Sequence, residues 1–428
     1  MYNILIVYRS ITYPLRVTIA DHLYSFQRYA PHRCFYLNLA LRRFPAWLLR
    51  VPFDLVVFHT TFLSQRAWNP SKFHQMVELL HPLKSLEAVK IALPQDEFLN
   101  TDLLGDFINE FGVQHVFSVA PASEWPKIYG SVDSQRVTFF NVLTGYLDDK
   151  TVAKINNLDR SIQTRSVDIG YRAYGVRHWL GRHGFLKIQM ATFFQEKVSQ
   201  GRLVTDISTR SEDTFLGDEW YKFLLQCKYT LGVEGGASIL DRDGSIRKRT
   251  EDYLQQHPQA GFEEVESQCF PGLDGSLRLF AISPRHLEAC ATRTCQVLVE
   301  GEYNGILRPG QHYIELARDL SNVDQVLETI ELDTARAEII ERAYRDVVES
   351  GRYTYQKFVE FVLGKSLEGT LPKPSPAWVV LAWRWGQLSD WRSWAQIPSH
   401  PLYGFFRSAF GLLAPARLIL RLCKRVMQ

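Results

Sequence analysis

The sequence predicts an α/β protein made of two units, each a buried parallel sheet flanked by helices, facing each other across a cleft. Three observations carry this. Short apolar runs alternate with longer helix-compatible segments through the first 120 residues or so, a second alternation of the same kind starts near residue 167, and a polar stretch at 147–165 (LDDKTVAKINNLDRSIQTR) separates them. The runs are continuously apolar rather than alternating, which fits strands covered on both faces by crossover helices.

In the first half the strands are expected at 4–7, 55–58, 89–93 and 115–119. The opening MYNILIVYRS has no basic stretch before its apolar run, so it reads as a first strand and not as a signal peptide. No GxGxxG follows it, so this half need not hold a dinucleotide. Residues 147–165 are expected to be an interdomain linker. In the second half strands are expected at 167–169, 203–207, 229–233, 296–299 and 313–316. The resulting division is an N-terminal unit over 1–155, a C-terminal unit over 156–350, and a terminal part over 351–428 made of a crossing helix and a basic, tryptophan-rich tail. Ligands of such sheets bind at the carboxyl ends of the strands.

Composition narrows the function. The chain has 428 residues, 46% of them hydrophobic, enough for two cores of ordinary size. A net charge of +3 is too small for a nucleic-acid binder of this length. The six cysteines form no CxxC or CxxH pair, which argues against a zinc site or a disulfide framework and for a reducing cytosol. No run approaches the ~18 apolar residues of a membrane span.

Two segments carry chemistry. At 229–238 (YTLGVEGGAS) an apolar strand ends at Glu234-Gly235-Gly236, where bare backbone N–H groups can approach an anion, with Ser238 beside them. At 283–289 (SPRHLEA) a helix opens at Ser-Pro with Arg285 in its first turn and Glu288 behind it. With the following ACATRTCQVLVEGEYNGILRPGQHYIEL, this pattern resembles the donor-binding domain of GT-B glycosyltransferases, closest to those of bacterial surface-polysaccharide clusters, over roughly residues 165–360. The resemblance implies a GT-B fold of two Rossmann-like domains facing a cleft, with Glu288 on the nucleotide ribose, Glu234 as the sugar-side glutamate, and Gly235, Gly236 and Ser238 against the donor. Glu288 follows Glu234 by 54 positions where the family pair is closely spaced, so 242–280 must be an insertion.

A leaving nucleoside diphosphate needs fixed positive partners. The resemblance points to Arg172 and Lys187, with Arg182 as competitor and Arg285 as a further cation; each arginine could equally be an ion-paired loop residue. At strand ends of the first half, the resemblance implies that His59 contacts the donor sugar, and by position Asp96 or Glu97 could take the acceptor proton; the alternatives are a structural histidine and a helix cap. Asp241-Arg242-Asp243 has the DxD form of a metal site in another glycosyltransferase fold, but Asp-Gly-Ser favours a turn. No metal or other cofactor is expected. The insertion reads as a surface helix pair over the donor pocket, its first helix at 246–256.

In the tail, Trp378, Trp383, Trp385, Trp391 and Trp394 precede 401–428, which carries five cations and no acid. A basic amphipathic helix beside clustered tryptophans predicts an interfacial anchor on anionic lipid; packing on the protein is the alternative. The chain is therefore expected to be a nucleotide-sugar-dependent glycosyltransferase acting on a glycan or lipid-linked acceptor in bacterial surface-polysaccharide synthesis, possibly retaining. It would be cytoplasmic, peripheral on the inner membrane face, and without nucleic-acid partners. The rival readings are a sugar-nucleotide epimerase or phosphorylase on the same frame and a non-catalytic scaffold.

Overall fold

The computed structural model describes residues 1–41, 44–159, 164–173, 177–198, 203–215, 217–394 and 399–400. The first half forms a sheet from β1 (Asn3–Tyr8), β2 (Arg33–Asn38), β3 (Leu55–Phe58), β4 (Val89–Ala92), β5 (His115–Ser118) and β6 (Thr138–Asn141), all parallel, in the order β2-β1-β3-β4-β5-β6. The second half adds β7 (Val167–Arg172), β8 (Thr205–Ser208), β9 (Cys227–Gly232), β10 (Gly235–Ala237), β11 (Leu279–Ala281), β12 (Cys295–Val299) and β13 (Ile314–Leu316). Five of these make a second parallel sheet, β13-β12-β9-β7-β8, while β10 and β11 form a separate antiparallel ladder. Two doubly wound sheets facing each other are the GT-B arrangement. The helices that matter below are α1 (Val17–Tyr29), α2 (Asp149–Asp159), α3 (Gly181–Val198), α4 (Asp218–Gln226), α5 (Ser245–Gln256), α6 (Phe262–Cys269), α7 (Pro284–Ala291), α8 (Tyr355–Ser366) and α9 (Ala377–Trp394).

The central strands are fully buried apolar runs, as in Ile4, Leu5, Ile6 and Val7, which is why they are legible in the sequence. The outer strands β2 and β6 are not among the expected ones. The whole of β6 is half-exposed to exposed, and β2 is a mixed RCFYLN. Residues 147–165 are not a plain linker either. Asp148 is buried and paired with Arg28 of α1, and α2 follows it, packing Ile155 into the core against Tyr221 of α4.

After the second sheet the chain returns to the first half. Leu147 exchanges backbone hydrogen bonds with the returning segment in an isolated bridge, its N–H donating to Tyr353 O and its carbonyl accepting from Tyr355 N, both at 2.9 Å. Helix α8 then packs on α1, and α9 lies along edge strand β2, covering the polar edge that an outer strand otherwise presents to solvent. This corrects the expectation for two of the tryptophans. Trp383 donates to Cys34 O (3.1 Å), and the buried Trp394 stacks on Tyr8 and donates to Tyr24 Oη (3.2 Å). They pack on the first sheet, Trp394 buried and Trp383 half-buried. The basic segment 401–428 lies outside the described residues. Among the described residues no helix is long and apolar enough to cross a membrane.

The insertion leaves and re-enters through the β10–β11 ladder, which sets Gly236 opposite Phe280. It does not lie over a donor pocket as a free helix pair; it is joined to the first half. Asp241 N donates to Phe98 O (2.8 Å), Asn100 N to Asp241 O (2.7 Å) and Asp102 N to Arg242 O (3.1 Å), and Arg242 pairs with Asp102 at 2.7 Å. Ile239, Ile246, Phe262 and Phe270 enter the same core cluster as Phe58, Phe62 and Phe107. The DxD residues are helix-start ligands: Asp241 accepts from Ile246 N and Arg247 N, and Asp243 from Ser245 N, the turn role that Asp-Gly-Ser predicts.

Gly236 closes the ladder at φ +117°, and a Cβ there would lie 1.8 Å from Leu279 O. Gly235 has neither constraint, its nearest Cβ neighbour being Ala281 O at 3.6 Å. Gly236→Ala is expected to cost more than about 2 kcal/mol, read as a lower urea midpoint, with Gly235→Ala close to the parent. Equal midpoints for the two variants would refute the strained ladder.

Candidate functional site

In the second sheet the strand order reverses between β7 and β9, and the crevice at the carboxyl ends beside such a switch point is where ligands bind in open α/β sheets. Helix α3 starts there at Gly181, but its first N–H groups are already taken. Arg182 N donates to Asp274 Oδ1 (3.0 Å) and His183 N to Ser238 Oγ (3.3 Å), both acceptors belonging to the insertion. Gly181 permits this approach, since a Cβ would meet Ser238 Oγ at 2.2 Å and Asp274 Oδ1 at 2.4 Å. Ser238 also donates to Asp274 (2.6 Å). It therefore caps α3 and closes the insertion rather than facing a donor.

Lys187, one turn and a half further along α3, is half-buried, and among the described residues no hydrogen bond or ion pair holds its ammonium group. Burial lowers its pKa to about 8, with neighbouring Arg285 acting the same way and Asp96 of the first half opposing. Arg285, in the first turn of α7, donates to Arg172 O (2.6 Å) and lies over the Trp220 ring at 5.2 Å. Behind it, buried Glu288 accepts from Trp220 Nε1 at 2.8 Å; burial raises its pKa, and Trp220 and Arg285 oppose the rise. Two cations and a carboxylate thus line one wall.

The facing wall is the loop after β4. Asp96 has φ +52°, the left-handed region that residues other than glycine seldom adopt. Fully buried Arg66 holds this turn, donating from Nη2 to Gln95 O (3.1 Å) and Asp96 O (2.9 Å) and from Nη1 to Leu63 O (2.9 Å). The Asp96 carboxyl is left in reach of Lys187 and Arg177; burial raises its pKa, and Arg66, Arg177 and Lys187 pull it back. A half-buried carboxylate kept in a strained turn beside cations has the features of a catalytic base.

The other expected residues lie elsewhere. Glu97 points the opposite way, accepting from Ser118 Oγ (2.5 Å), Val119 N (2.9 Å) and the Tyr129 hydroxyl; fully buried in its own half, it cannot meet an acceptor. His59 is also fully buried. Its Nδ1 accepts from Thr61 N (3.2 Å), which puts the proton on Nε2, donating to His22 Nδ1 at 2.9 Å. It caps a short helix and does not face the cleft. Arg172, the last residue of β7, makes a bidentate pair with Asp206 (2.7 and 2.8 Å), donates to Asp213 O and lies over Phe215 and Phe223. Its charge is spent inside the second half, so it is not a diphosphate ligand. Arg182 is bound to Glu266 (2.6 Å) and Glu263 (3.1 Å) of the insertion.

Glu234 accepts from Tyr303 N at 2.7 Å and is buried, fastening the β9 end to the loop after β12. Its carbonyl accepts from His183 Nε2 (3.1 Å), whose ring stacks on Phe280 at 3.7 Å. Gly235 and Gly236 serve the ladder. Of the expected set, Asp96, Lys187, Arg285 and Glu288 come together. Trp220, Arg66 and Arg177 join them unforeseen: each lies far in sequence from the partner that defines it, and no local motif marks them.

No protein-family model matches the sequence, and no curated protein does. Among solved structures, the chain is similar to Anabaena HepE crystallised with UDP and glucose, at 10% identity and a TM-score of 0.47 over 85% of this chain and 99% of that one. It is similar to OtsA in its apo form at 10% identity and 0.47, over 87% and 100%. For AviGT4, a glycosyltransferase involved in avilamycin A biosynthesis, the values are 11% and 0.41, over 86% and 97%.

The lowered pKa of Lys187 would make any anion binding at this crevice pH-dependent. The charged form exists below about 8, so affinity for an anionic probe such as inorganic pyrophosphate should be steady toward neutral pH and fall above that value by up to about tenfold per pH unit. Lys187→Arg should keep its affinity through that range, and Lys187→Met should bind weakly without the break. Calorimetry across the range tests this, and an identical profile in all three proteins would remove Lys187 from the site.

Proposed function

We propose that the protein is a glycosyltransferase that moves a sugar from a nucleoside-diphosphate sugar to a glycan or lipid-linked acceptor in bacterial surface-polysaccharide synthesis. The observation that carries this reading is the pair of cations Lys187 and Arg285 at the switch-point crevice, facing Asp96 of the other half, with no hydrogen bond or ion pair on the Lys187 ammonium among the described residues. Two neighbouring half-buried cations facing a single carboxylate leave positive charge that costs stability unless a ligand offsets it, and a diphosphate would. Glu288, fixed by Trp220, would accept hydrogen bonds from the ribose hydroxyls.

In the reaction Asp96 takes the proton of the acceptor hydroxyl as its oxygen bonds to the anomeric carbon. The bond to the diphosphate breaks, and Lys187 and Arg285 receive the charge that develops on the leaving oxygen. No divalent ion is needed for that step, and Asp241 and Asp243 are occupied as helix-start ligands. Attack assisted by a base on the acceptor side is a direct, inverting displacement, where the paired-glutamate resemblance implies retention. The basic segment 401–428 would hold the enzyme on the anionic inner leaflet, close to a lipid-linked acceptor.

Glu288→Ala should weaken UDP binding by about 1.5–3 kcal/mol, the worth of a charge-assisted hydrogen bond; unchanged affinity in calorimetry would exclude the ribose contact. With a radiolabelled sugar-nucleotide panel, label should pass to acceptor in the presence of EDTA, and Asp96→Asn should lower kcat by roughly 10²–10⁴-fold with donor affinity kept. Retained configuration at the new anomeric centre, together with an active Asp96→Asn, would overturn the role given to Asp96. A failure of every sugar nucleotide to raise the melting temperature would favour the scaffold reading.

A further inference from the structure

Beside the cleft, the two halves and the insertion meet in a cluster the proposed donor chemistry does not use. Trp68 of the first half has an indole 45% exposed, unusual for a ring of that size. The Arg177 guanidinium lies 4.8 Å from its centroid and 5.8 Å from that of buried Trp179 in the second half. Arg247 of the insertion sits against the same two rings at 5.1 and 5.3 Å. Arg247 has a structural occupation, donating to Ala67 O (2.7 Å) and pairing with Glu251 (2.8 Å), and suffices to join the two rings.

Arg177 has none of this kind. It is exposed, and among the described residues no ion pair engages it; the carboxyl that feels its charge is Asp96. Asp96 is thus in electrostatic reach of Lys187 in the crevice and of Arg177 at the rim. An unpaired guanidinium on an exposed indole recognises a flat apolar face bearing an anion: the ring supplies area, and the fork of N–H donors matches a carboxylate or phosphate.

We propose that Trp68 and Arg177 form the acceptor subsite and that the acceptor is acidic, a sugar carrying a carboxylate or a phosphate close to the hydroxyl presented to Asp96. The assignment rests on reading the cleft as a glycosyltransferase site. The indole packs against the sugar, Arg177 pairs with its anion, and the distance from rim to crevice sets which hydroxyl reaches the base.

The test is tryptophan-fluorescence and calorimetric titration of the full chain with tetragalacturonate, glucose 6-phosphate and neutral maltotetraose, in the parent protein, Arg177→Gln and Trp68→Leu, each checked for an unchanged melting temperature. An acidic probe should bind and lose at least about tenfold in affinity in both variants, while maltotetraose binds at least tenfold more weakly than that probe. Dependence confined to tetragalacturonate assigns a uronic-type carboxylate, and dependence confined to the phosphate ester assigns a phosphorylated acceptor. Equal binding of acidic and neutral probes, no binding of either acid, or affinity indifferent to both variants would overturn the proposal. So would a parallel loss of UDP affinity in Arg177→Gln, which would put that cation on the donor. UDP binding without acid binding would sink the subsite alone; acid binding without any sugar-nucleotide binding would sink the glycosyltransferase reading and leave the anion subsite standing.

Discussion

The contact on which the rest of this molecule depends is the short backbone ladder between the loop at Phe98–Asp102 and the insertion at Asp241–Arg242. Two sheets in separate halves would otherwise meet over a polar crevice with little to fix their spacing. Here the insertion places Ile239, Ile246 and Phe262 in the apolar core of the first half while its two ends stay tied to β9 and α7 of the second. Close packing of that kind resists small displacements, and the strained turn at Asp96, a few residues before the ladder, inherits its position relative to Lys187 from it. At the opposite end, the hydrogen bonds between Leu147 and the segment at Tyr353–Tyr355 hold the halves a second time.

Charge is distributed so that most cations near the crevice are neutralised and a few are not. Arg172 is matched by Asp206, Arg182 by Glu263 and Glu266, and Arg28 by Asp21 and Asp148. Arg66 donates from its two Nη atoms to three carbonyls. Against this background a half-buried Lys187 with no hydrogen bond or ion pair among the described residues is informative, because charges withdrawn from water are ordinarily paired and the exceptions gather where a ligand completes them. The α3 N-terminus, a natural seat for an anion, is filled by Asp274, so side-chain cations carry the task here.

Legibility in the sequence followed unbroken apolar runs. The inner strands are uninterrupted apolar runs, and their periods and lengths are visible without any partner; β2 and β6, at the edge and mixed in character, were not. The polar stretch at 147–165 reads as a linker because only Ile155 of α2 is buried. In the site, four expected residues meet, and the reason the others do not is pairing at long range. Arg172, Arg182 and Lys187 lie within sixteen positions, yet which one stays free is decided by Asp206 and Glu263, and no local pattern carries that. Asp96 and Glu97 are neighbours of like chemistry that face opposite ways because of one left-handed turn. The tryptophans at the C-terminal end read as an interfacial belt, but a ring that covers a sheet edge looks the same in sequence as one that enters a headgroup layer.

The closure of the insertion by β10 and β11 bears on how such a chain could have arisen. With Gly236 opposite Phe280, the two ends sit at neighbouring-strand distance, about 5 Å, so a segment could be acquired at this point by a gene without disturbing the sheet that carries it. Losing it again is another matter. Its apolar side chains Ile239, Ile246 and Phe262 are now part of the core of the first half, and excision would leave that core incomplete. The geometry makes a segment of this kind easy to add, and its share in the core makes it costly to remove.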